Sequence, residues 1–209
     1  MDAHTHSLSN PESIYVLSSA ELKAHRRNSQ QKFCAGVHPW HVSQGSLSDV
    51  IRWAQDENCV GIGETGLDRL HPEWDLQLRI FLTHWDLSEK IQKPLVLHIV
   101  RSSSDLLGLM KHRRPRGPWL WHDFTGPLEA LPKILKLHPE MYFSCGPRAL
   151  RRKNFPELWQ ALPSAQRLLE TDDSGVPFEE VLAASGADPR ELERNFERLF
   201  RVKPAPAQT

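Results

Sequence analysis

The chain has 209 residues, and its 26 lysine and arginine residues balance its 26 aspartate and glutamate residues, so the formal net charge at pH 7 is zero. This neutrality argues against the strongly basic class of domains that coat nucleic acid by bulk electrostatic attraction. Seven tryptophans and eight phenylalanines exclude disorder as the dominant state. The length fits one domain with a sizeable core, and we expect this domain to span residues 1–200.

Short apolar runs rich in β-branched residues recur along the chain, and each is followed by turn residues and a segment with helical periodicity. The runs predict eight strands, at residues 2–4, 13–18, 32–37, 59–63, 94–100, 119–123, 141–145 and 167–171. The periodic segments predict helices at residues 19–30, 46–57, 72–92, 103–114, 126–138, 155–161, 178–184 and 189–200. Residues 201–209, which include a Pro-Ala-Pro-Ala run, predict a flexible C-terminal tail.

Continuous apolar strands that alternate with helices are typical of a parallel sheet that is buried on both faces. Eight such units in one domain predict an α/β fold, a TIM-like (β/α)8 barrel, in preference to an open sheet. The first predicted strand has almost no apolar body before His4. We therefore expect a compact barrel that is distorted at the first strand and at its C-terminal units.

Three widely spaced cysteines, Cys34, Cys59 and Cys145, fit neither a disulfide framework nor a zinc knuckle, and we expect all three to be buried and reduced. No stretch approaches the ~18 apolar residues that cross a bilayer, and the N-terminal residues lack the basic and apolar regions of a signal peptide. These features favour a cytoplasmic protein without membrane contact, and a monomer is the default expectation.

The composition is most unusual in its eleven histidines, because imidazole is a common ligand of transition metals. In a barrel of parallel strands, the chemistry lies at the C-terminal ends of the strands. The polar residues at the ends of predicted strands include His4, His6, His38, Glu64, His98, His122 and Asp172. Their positions make them the first candidates for a functional site.

The histidines at these strand ends could also have purely structural roles. A pair with the spacing of His4 and His6 is common by chance in a histidine-rich chain, and a solvated terminus would account for it. Residues two apart on a strand nevertheless face the same side, so both rings could face one metal. His98 and His122 follow apolar runs, and either could equally be a hydrogen-bonded core residue.

Glu64 and Asp172 could likewise have structural roles instead of binding a metal. Glu64 needs a partner if it is buried, because isolated burial of a charge costs several kcal/mol, and an ion pair with Arg69 or Arg101 would supply one. Asp172 could cap the turn before Ser174. Taken together, two acids and four histidines at the ends of different strands favour a metal site. They supply the bridging carboxylate and mixed ligands that two divalent cations about 3.5–4 Å apart require.

Seven motifs in these segments resemble those of the TatD-type metal-dependent hydrolases, a branch of the amidohydrolase superfamily with a TIM-like barrel. The motifs are DAHTH (2–6), GVHPW (36–40), IGETGLD (62–68), KPLVLH (93–98), HDFTG (122–126), FSCG (143–146) and LETD (169–172). They occur in the family's order across nearly the whole chain.

The resemblance implies two divalent metal ions, Mg²⁺, Mn²⁺ or Zn²⁺. One ion would be held by His4, His6 and Asp172, the other by His98 and His122, and both by a bridging Glu64. The resemblance also implies a deoxyribonuclease or phosphodiesterase with a 3′–5′ exonuclease-like action on DNA. A divalent pair would lower the pKa of a bound water toward neutrality and so supply hydroxide.

The resemblance, the chemistry of a metal pair and the positions of basic residues together suggest roles for further residues. Asp172 is the best candidate to accept the proton of the attacking water, and His38 would touch the scissile phosphate or assist proton transfer. A packed histidine in a Pro-Trp turn is the alternative for His38. Positive charge for the substrate would come from Arg101 or from Arg148 and the basic residues at 151–153, although this last run could be a solvated helix face.

The chain departs from the family's pattern in its loops. It is shorter than the usual barrel of about 250 residues, and residues 173–177 replace the family's Arg-Asn-Glu-Pro segment. Loops carry the substrate contacts of a barrel, so these changes bear on the substrate and not on the metal ligands. Hydrolysis of an ester, lactone or amide by the same metals is the alternative, and a non-catalytic binding barrel is a third hypothesis. The retained Glu64 favours the nuclease-like branch.

Overall fold

Seven parallel strands form one sheet in the computed structural model, which describes residues 1–7, 13–17, 21 and 31–202. The strands are β1 (Tyr15–Leu17), β2 (Phe33–Ala35), β3 (Cys59–Asp68), β4 (Leu95–Val100), β5 (Trp119–Trp121), β6 (Met141–Cys145) and β7 (Arg167–Leu169). They lie side by side in chain order, and every neighbouring pair is parallel. This is the arrangement that helical crossovers between consecutive strands produce.

Helices follow most of the strands, as the alternating pattern predicted. The described helices are α1 (Leu47–Trp53), α2 (Trp74–Ile91), α3 (Ser103–His112), α4 (Leu131–Leu137), α5 (Pro147–Leu150), α6 (Phe155–Ala161), α7 (Phe178–Ser185) and α8 (Pro189–Phe200). Short 3₁₀ helices occur at Pro39–His41, Leu128–Ala130 and Ser164–Gln166. The predicted helix at residues 19–30 lies outside the described residues apart from Glu21, and so does the predicted tail beyond residue 202.

The N-terminal segment joins the two edges of the sheet. Thr5 pairs in parallel with Tyr15 of β1 on one side and with Asp172, just after β7, on the other. The backbone N–H of Ala3 also donates to the carbonyl of Leu169 (3.1 Å). Because β1 and β7 are the sheet edges, the sheet must curl until both edges meet this segment. The α/β barrel architecture is thus confirmed, whereas the prediction of a separate first strand at residues 2–4 was wrong: no strand forms there, and the following residue, Thr5, makes two single bridges.

One side chain from each strand contributes to an apolar floor inside the curled sheet. These residues are Val16, Cys34, Val60, Val96, Leu120, Tyr142 and Leu168. Phe196, Leu199 and Phe200 of α8 pack against the same cluster. Residues two apart along an extended chain face the same side. His98 and His122 therefore stand directly above Val96 and Leu120 of this floor.

The outer faces of the strands pack against the helices. Trp85 of α2 and Trp119 of β5 are fully buried there, with their rings perpendicular and their centroids 4.7 Å apart. The three cysteines are buried and free, as predicted. Within the described part of the chain, no helix has the length and apolar character that crossing a membrane requires.

Strand β3 is longer than predicted, because it continues through Glu64 to Asp68 and all ten of its residues are buried. Glu64 and Asp68 within it find partners on neighbouring elements, which a periodicity argument does not anticipate. Gly66 has a φ of 157°, and a Cβ atom at this position would collide with the carbonyl of His98. The absence of a side chain therefore allows β3 and β4 to pair closely at the level of the site.

Candidate metal centre

The carboxylate of Glu64 stands at the centre of a cluster of histidines. Its Oε1 atom lies 2.8 Å from His98 Nδ1, 2.7 Å from His122 Nε2 and 3.2 Å from His38 Nε2. These histidines come from the ends of β4, β5 and β2, so the curled sheet brings them together. No ion pair of Glu64 with Arg69 forms, since Arg69 pairs with Asp105 at 2.6 Å.

The second carboxylate oxygen of Glu64 faces a different pair of histidines. Its Oε2 atom lies 3.4 Å from His4 Nε2 and 3.6 Å from His6 Nε2. Oδ1 of Asp172 lies 3.6 Å from the same nitrogen of each histidine. The structure therefore brings together all six residues that the sequence predicted as metal ligands, with one oxygen of Glu64 toward each group.

The buried nitrogen of His4 indicates that the site fits a cation. His4 has no solvent exposure, and its Nε2 atom makes no hydrogen bond although it faces two carboxylates. Two ligands of one tetrahedral zinc-sized ion lie about 3.4 Å apart, given metal–ligand bonds of about 2.1 Å. The separations of His4 Nε2 from Glu64 Oε2 (3.4 Å) and Asp172 Oδ1 (3.6 Å) are close to this value.

Two further carboxylates orient the histidines, and sequence reasoning assigned them no role. Asp68 Oδ2 lies 3.3 Å from His98 Nε2, the ring nitrogen that points away from Glu64. Glu170 is fully buried, and its Oε1 atom lies 3.4 Å from His122 Nδ1. A carboxylate on the far nitrogen is the usual means of fixing the tautomer of a metal-binding histidine. Both residues lie within the TatD-like motifs. Their positions at the ends of strands were the sequence feature that could have marked them as site residues.

Glu170 and Asp2 also hold the backbone around the site. Glu170 accepts hydrogen bonds from the Asp123 backbone N–H (2.7 Å) and from the Ser144 hydroxyl. Asp2 accepts from the Thr171 hydroxyl (2.6 Å) and backbone N–H (3.1 Å), which ties the N-terminal segment to the end of β7. Burial raises the pKa of Asp2 to about 6, and its hydrogen bonds oppose the increase.

Opposite charges compensate one another within the cluster. Burial acts to raise the pKa of Glu64, but the charge of His122 and hydrogen bonds from His122 and His38 hold it well below its usual range. Burial and His122 act to lower the pKa of His4, and Asp172 and Glu64 outweigh them and raise it to about 9. Metal ligands must be deprotonated, so a cation bound here would replace imidazolium protons as the counter-charge.

His38 is fixed by the short 3₁₀ helix that follows it. Its Nδ1 atom accepts a hydrogen bond from the Trp40 backbone N–H (3.1 Å), so the proton of the neutral ring is on Nε2, which points at Glu64. Burial lowers the pKa of His38, and the nearby carboxylate opposes this effect. His38 is therefore a neutral hydrogen-bond donor beside the cluster at pH 7.

The two arginines predicted to contact substrate lie in different places. Arg148 lines the cavity, with Nη1 3.1 Å from Asp123 Oδ2 and Nη2 3.7 Å from Asp172 Oδ2. Burial raises the pKa of Asp123 to about 6, and Glu170 adds to the increase. Arg101 is exposed after β4 and does not line the cavity.

A cavity of about 520 Å³ opens above the cluster. Its walls include His6, His38, Glu64, His98, His122, Asp172 and Arg148, together with Trp40, Leu70 and His71. The volume is in the range of small-molecule binding sites. The ligand cluster thus forms the base of a pocket that a substrate can enter.

A parallel α/β barrel with histidines and carboxylates clustered at its strand ends is the architecture expected of a metal-dependent hydrolase. A family model described as TatD related DNase matches residues 3–208, and the chain therefore belongs to this family, as its motifs predicted.

The curated relatives are distant and longer than this chain. The uncharacterized metal-dependent hydrolase YcfH of Escherichia coli (strain K12) is 28% identical over 144 residues, which cover 67% of this chain and 54% of YcfH. The 3'-5' ssDNA/RNA exonuclease TatD of Pantoea sp. (strain At-9b) is 31% identical over 153 residues, which cover 66% of this chain and 56% of that protein. The chain thus spans a little over half the length of these relatives.

Solved structures share the fold. The TatD homologue YJJV from Escherichia coli K12 superposes with a TM-score of 0.77 at 22% sequence identity, and the match covers 92% of this chain and 87% of that chain. A TatD family hydrolase from Entamoeba histolytica superposes with a TM-score of 0.62 at 21% identity, over 77% of this chain and 60% of that chain.

Proposed function

We propose that the protein is a metal-dependent phosphodiesterase that removes nucleotides from DNA in a 3′–5′ exonuclease-like manner. The observation that carries the proposal is the division of Glu64 between two groups of ligands. Oε1 faces His98 and His122, and Oε2 faces His4 and His6. A carboxylate with one oxygen toward each of two ligand groups is what a bridged pair of cations requires.

The residues present fit two divalent ions. We assign His4, His6 and Asp172 to one ion and His98 and His122 to the other, with Glu64 shared between them. Divalent ions bound there would act as Lewis acids on the phosphoryl oxygens and would lower the pKa of water at the site. The name of the Pantoea relative, an exonuclease on ssDNA and RNA, supports a nucleic-acid substrate.

The side chains of the chain itself have separate tasks. Burial acts to raise the pKa of Asp172, but the neighbouring imidazole of His4, 3.6 Å away, holds it below the usual range, so that Asp172 stays a carboxylate. It is the group that accepts the proton of the attacking water. His38, protonated on Nε2, donates to a phosphoryl oxygen. The guanidinium of Arg148, 63% exposed, contributes charge-assisted hydrogen bonds to the phosphate.

The test is hydrolysis of end-labelled single-stranded DNA, duplex DNA and RNA beside a panel of carboxylic esters and lactones. We expect the chelated protein to be inactive, and Mg²⁺, Mn²⁺ or Zn²⁺ to restore the shortening of single-stranded DNA from its 3′ end. Asp172→Asn should retain the fold and lose turnover by about 10²-fold or more. Full activity after chelation would contradict the metal mechanism, and cleavage of the esters alone would assign the site to a different bond.

A further inference from the structure

An aromatic surface borders the cavity next to the ligand cluster. Three large hydrophobic side chains in the described part of the chain are exposed, and two of them, Trp40 (49%) and Leu70 (58%), line the cavity. The third, Ile51, lies on α1 away from it. Apolar surface collected at the mouth of a polar site is typical of a ligand-binding surface.

The indole of Trp40 is anchored on several sides. Its Nε1 atom donates to Asp68 Oδ2 (2.7 Å), and its ring stacks on the imidazole of His71, with centroids 4.6 Å apart and planes 16° apart. The Trp40 backbone N–H donates to His38 (3.1 Å). We refer to Trp40 and His71 as the aromatic platform. It is rigid and half open, so a flat ligand can stack on it without ordering a flexible side chain.

The aromatic platform is separated from the Glu64 cluster only by the side chains of His38 and His98. The Trp40 ring centroid is 4.9 Å from that of His38 and 5.7 Å from that of His98. His38 faces Glu64, and His98 is a proposed metal ligand. A phosphodiester held at the Glu64 cluster therefore has its neighbouring sugar and base within reach of the indole.

Charged and aromatic groups occupy different sectors of the cavity. Trp40 and His71 follow β2 and β3, whereas Arg148 follows β6, and β4 and β5 lie between them in the sheet. The pocket thus offers a guanidinium on one side and aromatic rings on another. This is the combination that binds single-stranded nucleic acid, in which phosphates meet cations and bases stack on aromatic side chains.

We propose that the aromatic platform is a nucleobase-stacking subsite, which takes the base of a nucleotide adjoining the scissile phosphate of a single strand. The inference rests on the proposed function, because a polynucleotide brings a base beside the phosphate. Every base has a π-face, so the subsite tolerates any sequence. Paired ends are poorer ligands, since their bases must first leave the duplex stack.

The kinetic test compares two single-stranded oligonucleotides that differ only in whether the terminal nucleotide is thymidine or an abasic tetrahydrofuran. In Trp40→Leu we expect kcat/KM on the thymidine end to fall about tenfold or more, with little change on the abasic end. Trp40→Phe keeps an aromatic face and loses the bond to Asp68, so it should retain most of the base preference. Ile51→Ala is the matched control and should behave as wild type.

A binding test separates this subsite from the nuclease proposal. Anisotropy of the same two oligonucleotides, made with uncleavable terminal linkages, should show tighter binding of the thymidine end by wild type and by Ile51→Ala, and no preference in Trp40→Leu. Base-selective binding without cleavage of any DNA would reject the nuclease and retain the subsite. Three results would overturn the subsite. The first is cleavage with the same base preference in wild type and Trp40→Leu, and the second is an equal loss of kcat/KM on both oligonucleotides in Trp40→Leu. The third is that neither oligonucleotide binds.

Discussion

The imidazole of His84 accepts a hydrogen bond from the backbone N–H of Val37, with 3.0 Å between Nε2 and N, although the two residues are 47 positions apart. Its Nδ1 atom lies 2.8 Å from the carbonyl oxygen of Ile80 and must donate to it. Both contacts are buried, so the tautomer of the ring is fixed. Val37 immediately precedes His38, and helix α2 therefore supports the segment that carries this site residue.

Replacement of His84 by leucine should leave the Val37 N–H buried without a partner. We expect a loss of about 1–3 kcal/mol in the free energy of unfolding, together with a lower kcat, because His38 loses its support. Urea unfolding and steady-state kinetics measure the two effects. His112→Leu replaces an exposed histidine on α3 and should change neither quantity by much. Unchanged kcat in His84→Leu would show that the contact is structural only.

A second buried histidine makes a pH dependence of stability measurable away from the metal ligands. His138 packs edge-on against Trp119, with ring centroids 5.0 Å apart, and burial lowers its pKa to about 4. In the unfolded chain the pKa of histidine is about 6.5. The unfolded state therefore binds more protons between these values, so stability is fully present above pH 6.5 and is lost as the pH falls toward 4.

His138→Phe should remove this loss while keeping an aromatic ring against Trp119. We expect the free energy of unfolding of the variant, relative to wild type, to rise by about 2–3 kcal/mol between pH 7 and pH 4.5. Urea unfolding at the two pH values measures the change, and any constant packing difference cancels. A difference between the two proteins that is independent of pH would contradict the assignment.

The sequence correctly predicted the elements that bury one plain apolar run or one apolar helix face. Strand β6 and helices α6 and α8 have the predicted bounds, because each is an apolar run or an amphipathic segment with a clear start. It did not predict the extent of β3, in which Glu64 and Asp68 can be buried because histidines from other strands reach them. Nor could it predict that Thr5 pairs with Asp172, since that contact depends on how far the sheet curls.

For the candidate site too, some residues could be predicted from the sequence and others could not. The six proposed ligands could be picked out from the sequence because they end strands and match known motifs, which are local features. Asp68 and Glu170 were given no role, because each acts on a histidine from another strand. Arg101 follows β4 as a substrate residue would, but its backbone has a φ of 50° and its side chain is exposed outside the cavity lining. The direction of one side chain in a turn is not encoded in spacing.

Glu170→Gln should weaken metal binding without unfolding the protein. The amide keeps the shape of the side chain, but it removes the charge that faces His122 Nδ1 at 3.4 Å. We expect metal affinity to fall about 10–100-fold, as is typical for carboxylates that orient a ligand histidine. Competition with a chromophoric chelator measures the affinity. Glu57→Gln, an exposed matched substitution, should bind as wild type, and equal affinities in all three proteins would remove Glu170 from this role.

Arg148→Gln should raise KM for oligonucleotides about tenfold and leave kcat nearly unchanged, because a phosphate contact made in the ground state is lost. The slope of log affinity against log salt concentration should become shallower by about one, because one fewer phosphate is neutralised. Arg79→Gln on α2 is the exposed control. Arg101→Gln should have a smaller effect than Arg148→Gln, because Arg101 does not line the cavity, and the reverse order would show that Arg101 turns toward substrate.

Glu64→Gln should abolish most of the stabilisation that metal gives the chain. Anything that binds only the folded state stabilises it, by about 2.7 kcal/mol at a ligand concentration of 100 Kd. For a chain of this length we expect a rise in Tm of about 5–10 °C when Zn²⁺ or Mn²⁺ is added to the chelated wild-type protein. Glu64 faces both ligand groups, at 2.7 Å from His122 and 3.4 Å from His4, so its neutral amide should weaken both. Glu57→Gln should keep the full rise in Tm, and a full rise in Glu64→Gln would show that this carboxylate does not bridge the ions.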